Sequence, residues 1–460
     1  MPLISSISGV RGVFGDGLDP DVLVRYSAAF GRWVRSTSEA ERPLVLIGRD
    51  GRTTGALAAR IVSGTLEAAG CRVIDAGMTP TPTLEVAIEK EEADGGLMLS
   101  ASHNPAEWNA LKLFNRRGEY LSAEAGGCVQ RDSGKPVAEA TRSYDAIGDH
   151  RRRSYLDHHV ERILALPYVR PERIREAGFT VVVDGINSVG GPALTRLLDA
   201  LGVEEGQITC LNCEPTGRFA HPPEPRPEHL EETVAAVAET GADLGLVVDP
   251  DVDRLALVED GGRFFGEELT QVVAADFLWR HESGPFVTNL SSSRTIEDVA
   301  AEHGEEVYRS PVGEINVVEK MKEKNALIGG EGNGGVILPR LHYGRDALVG
   351  SALVLQYLAE EDCTLSDLGE RYPRYVMSKD SLPVEGLDPD TLLAKMRERY
   401  ADEEIDTQDG LKIDFPDRWV HMRESNTEPI LRIYTEAPSE GEARELGERF
   451  KGELEELAGV

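Results

Sequence analysis

A short apolar run, then a stretch with helical spacing, then another apolar run: this pattern recurs along the chain and restricts it to helix-covered sheets. LVLIG at 44–48 precedes Leu57, Ile61, Val62, Leu66 and Ala69, and RVID follows after Gly70. Runs this apolar, joined by a helix-length connection, read as neighbouring parallel strands with a crossover helix. FTVVVDG at 179–185 opens a second block, with Leu194, Leu197, Leu198 and Leu201 on one helix. Leu230, Val234 and Val237 lie on the next, before the strand LGLVVD at 244–249. A third block carries a helix with Leu269, Val272, Val273 and Phe277, the strand PFVTNL at 285–290, a helix from Arg294 and the strand ALIGG at 326–330.

Beyond about residue 370 the pattern changes. RYVMSKDSLPV, a helix near 388–400, the runs LKIDF, WVHMR and ILRIYTEA, and a Glu-rich terminal helix predict a separate α+β domain. A chain of 460 residues exceeds what one core supports, because cores stop growing near ~250–300 residues. The expected domains are 1–150, 151–256, 257–370 and 371–460, with polar linkers around 144–154 and 371–375.

Asp plus Glu number 81 against 49 Lys plus Arg, a formal charge of -32, which repels nucleic acid and anionic membrane surfaces. An anionic substrate therefore requires a local cluster of cations and backbone N–H groups, or a bound metal. Five cysteines make no disulfide framework, and neither a signal peptide nor an 18-residue apolar run is present, so a cytoplasmic location is expected. Cys210 and Cys213 form a lone CxxC, which without a second pair is a weak zinc or redox signal.

Ligands of α/β sheets bind beyond the carboxyl ends of strands, and four polar loops lie where such ends are expected. In LMLSASHNP, Ser102 follows an apolar run and precedes Pro105, an exposed strand tip that carries a nucleophile only if a base, metal or cationic setting assists it. Lys112, among Leu111, Leu113 and Phe114, either snorkels or reaches an anion. In VVDPDVDR, Asp249, Asp251 and Asp253 repel one another unless a hard cation gathers them, and Mg2+ is the expected ion. Arg254 either neutralises that cluster or faces substrate. GGEGNGG at 329–335 frees the backbone and offers Glu331 and Asn333 to sugar hydroxyls. RESNTEPILR at 423–432 supplies Arg423, Ser425, Asn426, Thr427 and Arg432, a donor-rich set suited to a dianionic phosphate.

These four loops, in this order, resemble the α-D-phosphohexomutases over nearly the whole chain. SASHNP is similar to the family's phosphoserine loop, DPDVDR to its magnesium loop, GEGNGG to its sugar loop and RESNTEP to its phosphate loop. The resemblance implies three similar α/β domains with mixed sheets and a C-terminal α+β domain around a central cleft. It implies transfer from phosphorylated Ser102 to a hexose monophosphate through a hexose 1,6-bisphosphate that turns around in place. Asp249, Asp251, Asp253 and Ser102 would hold Mg2+, Arg11 of GVRG and Lys112 would assist proton transfer and charge, and His103 would support the serine. Arg254, Glu331, Asn333, Arg423, Ser425, Asn426, Thr427 and Arg432 would bind substrate.

Asn333 and Gly335 stand where many bacterial members have Ser and His, and Ala110 replaces a usual Gly. The leading substrate expectation is glucosamine phosphate, with mannose or glucose phosphate as the alternative. A Mg2+-dependent sugar phosphatase and a non-catalytic sugar-phosphate sensor are the competing readings. A monomer or homodimer is expected.

Overall fold

A computed structural model describes residues 3–6, 9–384, 387–425 and 430–458. By packing, the chain divides into two compact units, residues 1–277 with 333–369, and 278–332 with 370–460.

In the first unit, Leu44–Arg49 lies parallel to Arg72–Met78 and to Gly95–Leu99, as the crossover pattern predicts. The sheet then turns mixed: Gly95–Leu99 pairs antiparallel with Trp108–Phe114, which pairs antiparallel with Gly9–Phe14. Alternation along these strands sorts side chains to two cores. Val45, Ile47, Val73, Leu97 and Leu99 pack under helices Pro20–Thr37 and Gly55–Ala68, while Leu46, Ile74 and Met98 face Leu84 and Ile88 of helix Thr81–Lys90. Burial on both faces explains why these runs carry so little polar sequence. The expected linker 144–154 contributes a strand, His150–Arg152, parallel to Arg72–Met78.

A second sheet in this unit places Val181–Asp184 between Ile208–Leu211 and Leu244–Val248, all parallel, with Leu255–Glu259 returning antiparallel. The turn between the last two strands is 249–254, and their pairing brings its ends together. Helix Ala347–Glu361 is capped by Asp346, whose side chain accepts from Leu348 N and Val349 N.

In the second unit, Phe286–Asn289 lies parallel to Val307–Ser310 and Ile328–Glu331. The C-terminal sheet is antiparallel in the order Val376–Pro383, Ile430–Ala437, Trp419–Glu424, Leu411–Asp414, Glu404–Asp406. Helices Pro389–Arg399 and Glu440–Ala458 cover it through Leu392, Met396, Leu446, Phe450 and Leu454. No helix among the described residues is long and apolar enough to cross a membrane.

Candidate active site

Ser102 is not exposed. It is 8% accessible and lies three residues beyond Gly95–Leu99, in a loop that folds back rather than projecting. Its φ of +48° is left-handed, uncommon for a side chain with a Cβ, and persists only where surroundings hold it. Ser100 Oγ accepts from the Ser102 N–H at 2.9 Å, and the Ser102 carbonyl accepts from Arg52 at 2.6 Å. The Ser102 hydroxyl donates to Asp249 Oδ2 at 2.6 Å.

Asp249 begins the turn after Leu244–Val248. Its Oδ1 accepts from the Asp253 and Arg254 N–H groups at 3.1 and 3.3 Å, closing the turn on itself. Val252 sits within it at φ +65°, a true outlier for a β-branched residue. The strained turn gathers Asp249, Asp251 and Asp253, with one ligand atom from each within 4.8 Å of the others. All three are buried.

Cations pair with this cluster. Lys112 Nζ lies 2.6 Å from Asp251 Oδ2 and 3.5 Å from Asp253 Oδ2, and Arg345 donates to Asp253 Oδ2 at 2.7 Å. Thr81 donates its hydroxyl to Asp251 Oδ2. The remaining oxygens, Asp251 Oδ1 and Asp253 Oδ1, are buried without a hydrogen-bond donor among the described residues. Orphaned carboxylate oxygens in an all-oxygen set, beside the serine oxygen, fit a hard divalent cation such as Mg2+.

Electrostatics separate the three acids. Burial, then Asp253 and Asp251, push Asp249 well above the usual carboxylate range. Burial also opposes charge on Asp253, but Arg345, Lys112 and Arg254 outweigh it and hold that carboxyl well below its ordinary value. For Lys112, burial opposes the ammonium while Asp251 and Asp253 hold it well above its ordinary range. Arg254, with burial, pushes His103 down to about 2, so this imidazole is neutral at pH 7.

Lys112 and Arg11 arrive on adjacent antiparallel strands, with Gly9 opposite Lys112 and Arg11 opposite Ala110. Ala110 sits in regular pairing without a positive φ, so replacing Gly there leaves Lys112 in register. Arg11 donates to Asn104 Oδ1 at 3.5 Å, and burial, then Arg254, lower its pKa. Arg254 Nε lies 3.8 Å from Asp253 Oδ1, and Arg254 NH1 lies 3.8 Å from Glu224 Oε1. Asn333 Oδ1 accepts from Gly335 N at 3.3 Å, and Gly334 O accepts from Leu255 N at 3.0 Å, tying this loop to the residue after Arg254.

In the second unit, Glu331 Oε1 accepts from Asn289 Nδ2 at 3.0 Å. Arg423 and Arg432 face each other across antiparallel strands, and Arg432 donates to Ser425 Oγ at 3.3 Å. Like charges opposite one another are destabilising, and Arg423 Nε is buried without an acceptor among the described residues, an arrangement that an anion would stabilise. Asn426 and Thr427 lie outside the described residues.

Three contributors escaped sequence reasoning: Arg52, Thr81 and Arg345. Arg52 stands in GRDGR at 48–52, where nothing local shows what it touches. Each reaches the site from a segment distant in sequence, Arg52 and Arg345 from loops and Thr81 from the start of a helix, so no spacing rule could mark it.

Family models for phosphoglucomutase/phosphomannomutase match four segments: α/β/α domain I at residues 4–128, domain II at 153–262, domain III at 266–375 and the C-terminal domain at 382–453. A phosphoglucomutase/phosphomannomutase of Thermococcus kodakarensis is 36% identical, covering 95% of each chain. A phosphoglucosamine/phosphogalactosamine mutase of Sulfurisphaera tokodaii is 32% identical, covering 96% of this chain and 97% of its own. A phosphoglucomutase/phosphomannomutase family protein from Burkholderia thailandensis has a solved structure with TM-score 0.81 at 28% identity, covering 97% of this chain and 96% of its own. With a buried serine on a carboxylate cluster and all four family segments in order, this chain belongs to the phosphoglucomutase/phosphomannomutase family, the α-D-phosphohexomutases.

Proposed function

We propose that this chain interconverts the 6- and 1-phosphates of a hexose through a phosphoserine at Ser102, with glucosamine phosphate as the leading substrate and mannose or glucose phosphate as the alternative. The observation that carries this reading is the 2.6 Å hydrogen bond from the Ser102 hydroxyl to Asp249 inside a buried carboxylate cluster. The names of relatives acting on glucosamine, glucose and mannose phosphates support the substrate class.

A sugar hydroxyl attacks the phosphorus of phosphorylated Ser102, the P–Oγ bond breaks, and the hydroxyl proton is passed to the serine oxygen. The bisphosphate then turns, and Ser102 Oγ takes back the other phosphoryl group, so one P–O bond forms as one breaks in each half. Asp249, Asp251, Asp253 and the serine oxygen would hold Mg2+, which supplies charge neutralisation to the transferring group. Lys112, beside Asp251 and Asp253, lends positive charge to the transferring group and assists proton transfer. Arg11 works beside it, lending charge and helping to move the hydroxyl proton. His103 is neutral and supports the serine loop. Arg254, Glu331 and Asn333 bind the sugar phosphate, and Arg423, Ser425, Asn426, Thr427 and Arg432 clamp the phosphate that does not react.

The four domains of this reading are 1–150, 151–256, 257–370 and 371–460. The reading is of a cytoplasmic enzyme, monomeric or homodimeric, and the net charge of -32 supports the absence of a nucleic-acid or membrane partner. The test supplies Mg2+, a trace of the matching 1,6-bisphosphate and each hexose phosphate in turn, with mass spectrometry of Ser102. Isomerisation with phosphate on Ser102 is expected. Free phosphate without isomer would establish a phosphatase, and binding without turnover would establish a sensor.

A further inference from the structure

Behind the carboxylate turn, within the first unit, lies a second convergence of buried donors that phosphoryl transfer does not use. His159 of helix Leu156–Leu164 points Nε2 at Asp346 Oδ2, 2.9 Å away. His342 points its own Nε2 at the same oxygen from 3.2 Å. The two rings meet edge to face, and the three ligand atoms lie within 4.8 Å of one another. His159 and Asp346 are fully buried, and His342 is 8% accessible.

The far side of each ligand is also held. His159 Nδ1 shares a 2.9 Å hydrogen bond with Thr83 Oγ1, whereas His342 Nδ1 meets Glu85 Oε2 at 3.1 Å as an ion-pair contact outside hydrogen-bond alignment. Asp346 Oδ1 accepts from Leu348 N at 2.9 Å and Val349 N at 3.3 Å, leaving Oδ2 to the imidazoles. Metal-ligating imidazoles ordinarily donate their other N–H to a carboxylate, carbonyl or water, and ligating carboxylates are themselves hydrogen-bonded. At Gly344 a Cβ would stand 1.9 Å from Glu85 Oε2 and 2.7 Å from its Cδ, so a side chain there would displace the Glu85 carboxylate from His342.

Charge supports the same conclusion. Glu85 and Asp346 bring two buried carboxylates, and the adjacent Arg345 is committed to Asp253. Two buried negative charges require two positive ones. Against burial, Asp346 and Glu85 raise the His342 pKa to about 10, so without a metal its imidazolium carries compensating charge; a divalent cation would displace that proton and leave the imidazoles in the neutral form that ligates. Two nitrogens and one oxygen suit Zn2+ over Mg2+, unlike the all-oxygen Asp249 cluster.

We propose that His159, His342 and Asp346 form a structural Zn2+ site, distinct from the Mg2+ site. Its consequence is mechanical. Ala347 N, next to Asp346, donates to Val252 O at 3.1 Å, and Thr81 N, on the helix of Thr83 and Glu85, donates to Asp251 O at 2.9 Å. A metal here would pin both elements that support the carboxylate turn.

The test uses full-length protein, free of any histidine tag, loaded with ZnCl2, dialysed against metal-free buffer and measured by elemental mass spectrometry. Wild type is expected to keep about one zinc per chain, as a buried structural site does. The double substitution His159→Gln with His342→Gln should lose it, while Asp251→Asn and Cys210→Ser should keep it. Loading with Co2+ should give visible ligand-field absorption that the double substitution removes. Wild type holding no more zinc than the double variant would overturn the proposal. So would zinc that departs with Cys210→Ser, which would assign it to the CxxC. Should the double variant fail to fold, wild type stripped of metal and then saturated with Mg2+ decides: its Tm must rise further when Zn2+ is added, and no further rise overturns the site.

Discussion

Arg52 is the keystone of the serine loop, and replacing it by lysine separates charge from geometry. Its side chain is 1% accessible, and every one of its directions is used. Nε donates to Asp50 Oδ2 at 3.0 Å, one terminal nitrogen donates to Pro105 O and, at 2.9 Å, to Trp108 O, and the other donates at 2.6 Å to both Ser102 O and Asn104 O. Four carbonyls of the loop 102–108 thus converge on one guanidinium. Asp50 is fully buried, and burial already pushes its pKa up against the opposing pull of Arg52.

Removing one partner of such a pair costs about 3–5 kcal/mol, and each carbonyl left without a donor adds about 1–3 kcal/mol. A simple sum for Arg52→Ala would consume the roughly 5–15 kcal/mol that holds a typical domain, so that variant is expected not to fold. Arg52→Lys keeps the charge, but a compact ammonium cannot span an aspartate and four carbonyls as a planar fork does. We expect a loss of about 3 kcal/mol of stability, near the lower bound for a disrupted buried pair. A serine displaced by ~1 Å should also lower kcat by about 100-fold. Denaturant titration by circular dichroism and steady-state mutase kinetics on the same sample test both. An Arg52→Lys enzyme within about twofold of wild-type kcat, and within ~0.5 kcal/mol in stability, would refute the reasoning.

Lys112→Met removes the ammonium 2.6 Å from Asp251, and kcat should fall at least about 100-fold, as for other preorganised charges. Mg2+ affinity should not weaken, because the carboxylates lose a competing cation; a Mg2+ titration that shows weaker binding would contradict this. Gly334→Ala places a Cβ 2.4 Å from Leu255 O at φ +87°, so it should destabilise by about 2 kcal/mol and depress kcat/KM, readable by thermal melting and kinetics. His421 is buried, with Nδ1 2.8 Å from Ser291 Oγ and Nε2 2.7 Å from Asp409 O, and burial pushes its pKa down to about 4. A histidine pKa lowered by folding gives stability that is full above about 6.5 and lost as pH falls toward 4, on the order of 3 kcal/mol in all. The stability difference between wild type and His421→Gln should therefore shrink across that window, and a difference independent of pH would remove this account.

Local chemistry made much of the site legible in the sequence. Ser102 and the aspartates at 249, 251 and 253 each follow an apolar strand, and strand ends in helix-covered sheets are where ligands sit. The alternation that sends Leu46 and Ile47 to opposite cores is likewise written in neighbouring residues. Strand Gly9–Phe14 is less legible, because a short glycine-bearing strand leaves a faint periodic trace, whereas helix Pro20–Thr37 carries Val22, Leu23, Tyr26, Phe30 and Val34 at helical spacing.

What chain order alone determined was which residue types stand at the strand ends, and hence a chemistry of serine, carboxylate and cation. Tertiary structure decided their state. It buried Ser102, which reads as an exposed tip, because Arg52 folds the loop inward from 50 positions away. It set Asp249 and Asp253 on opposite sides of the ordinary carboxylate pKa, because only Asp253 receives Arg345. Burial and long-range pairing depend on which segments meet in space, and sequence spacing carries no record of that.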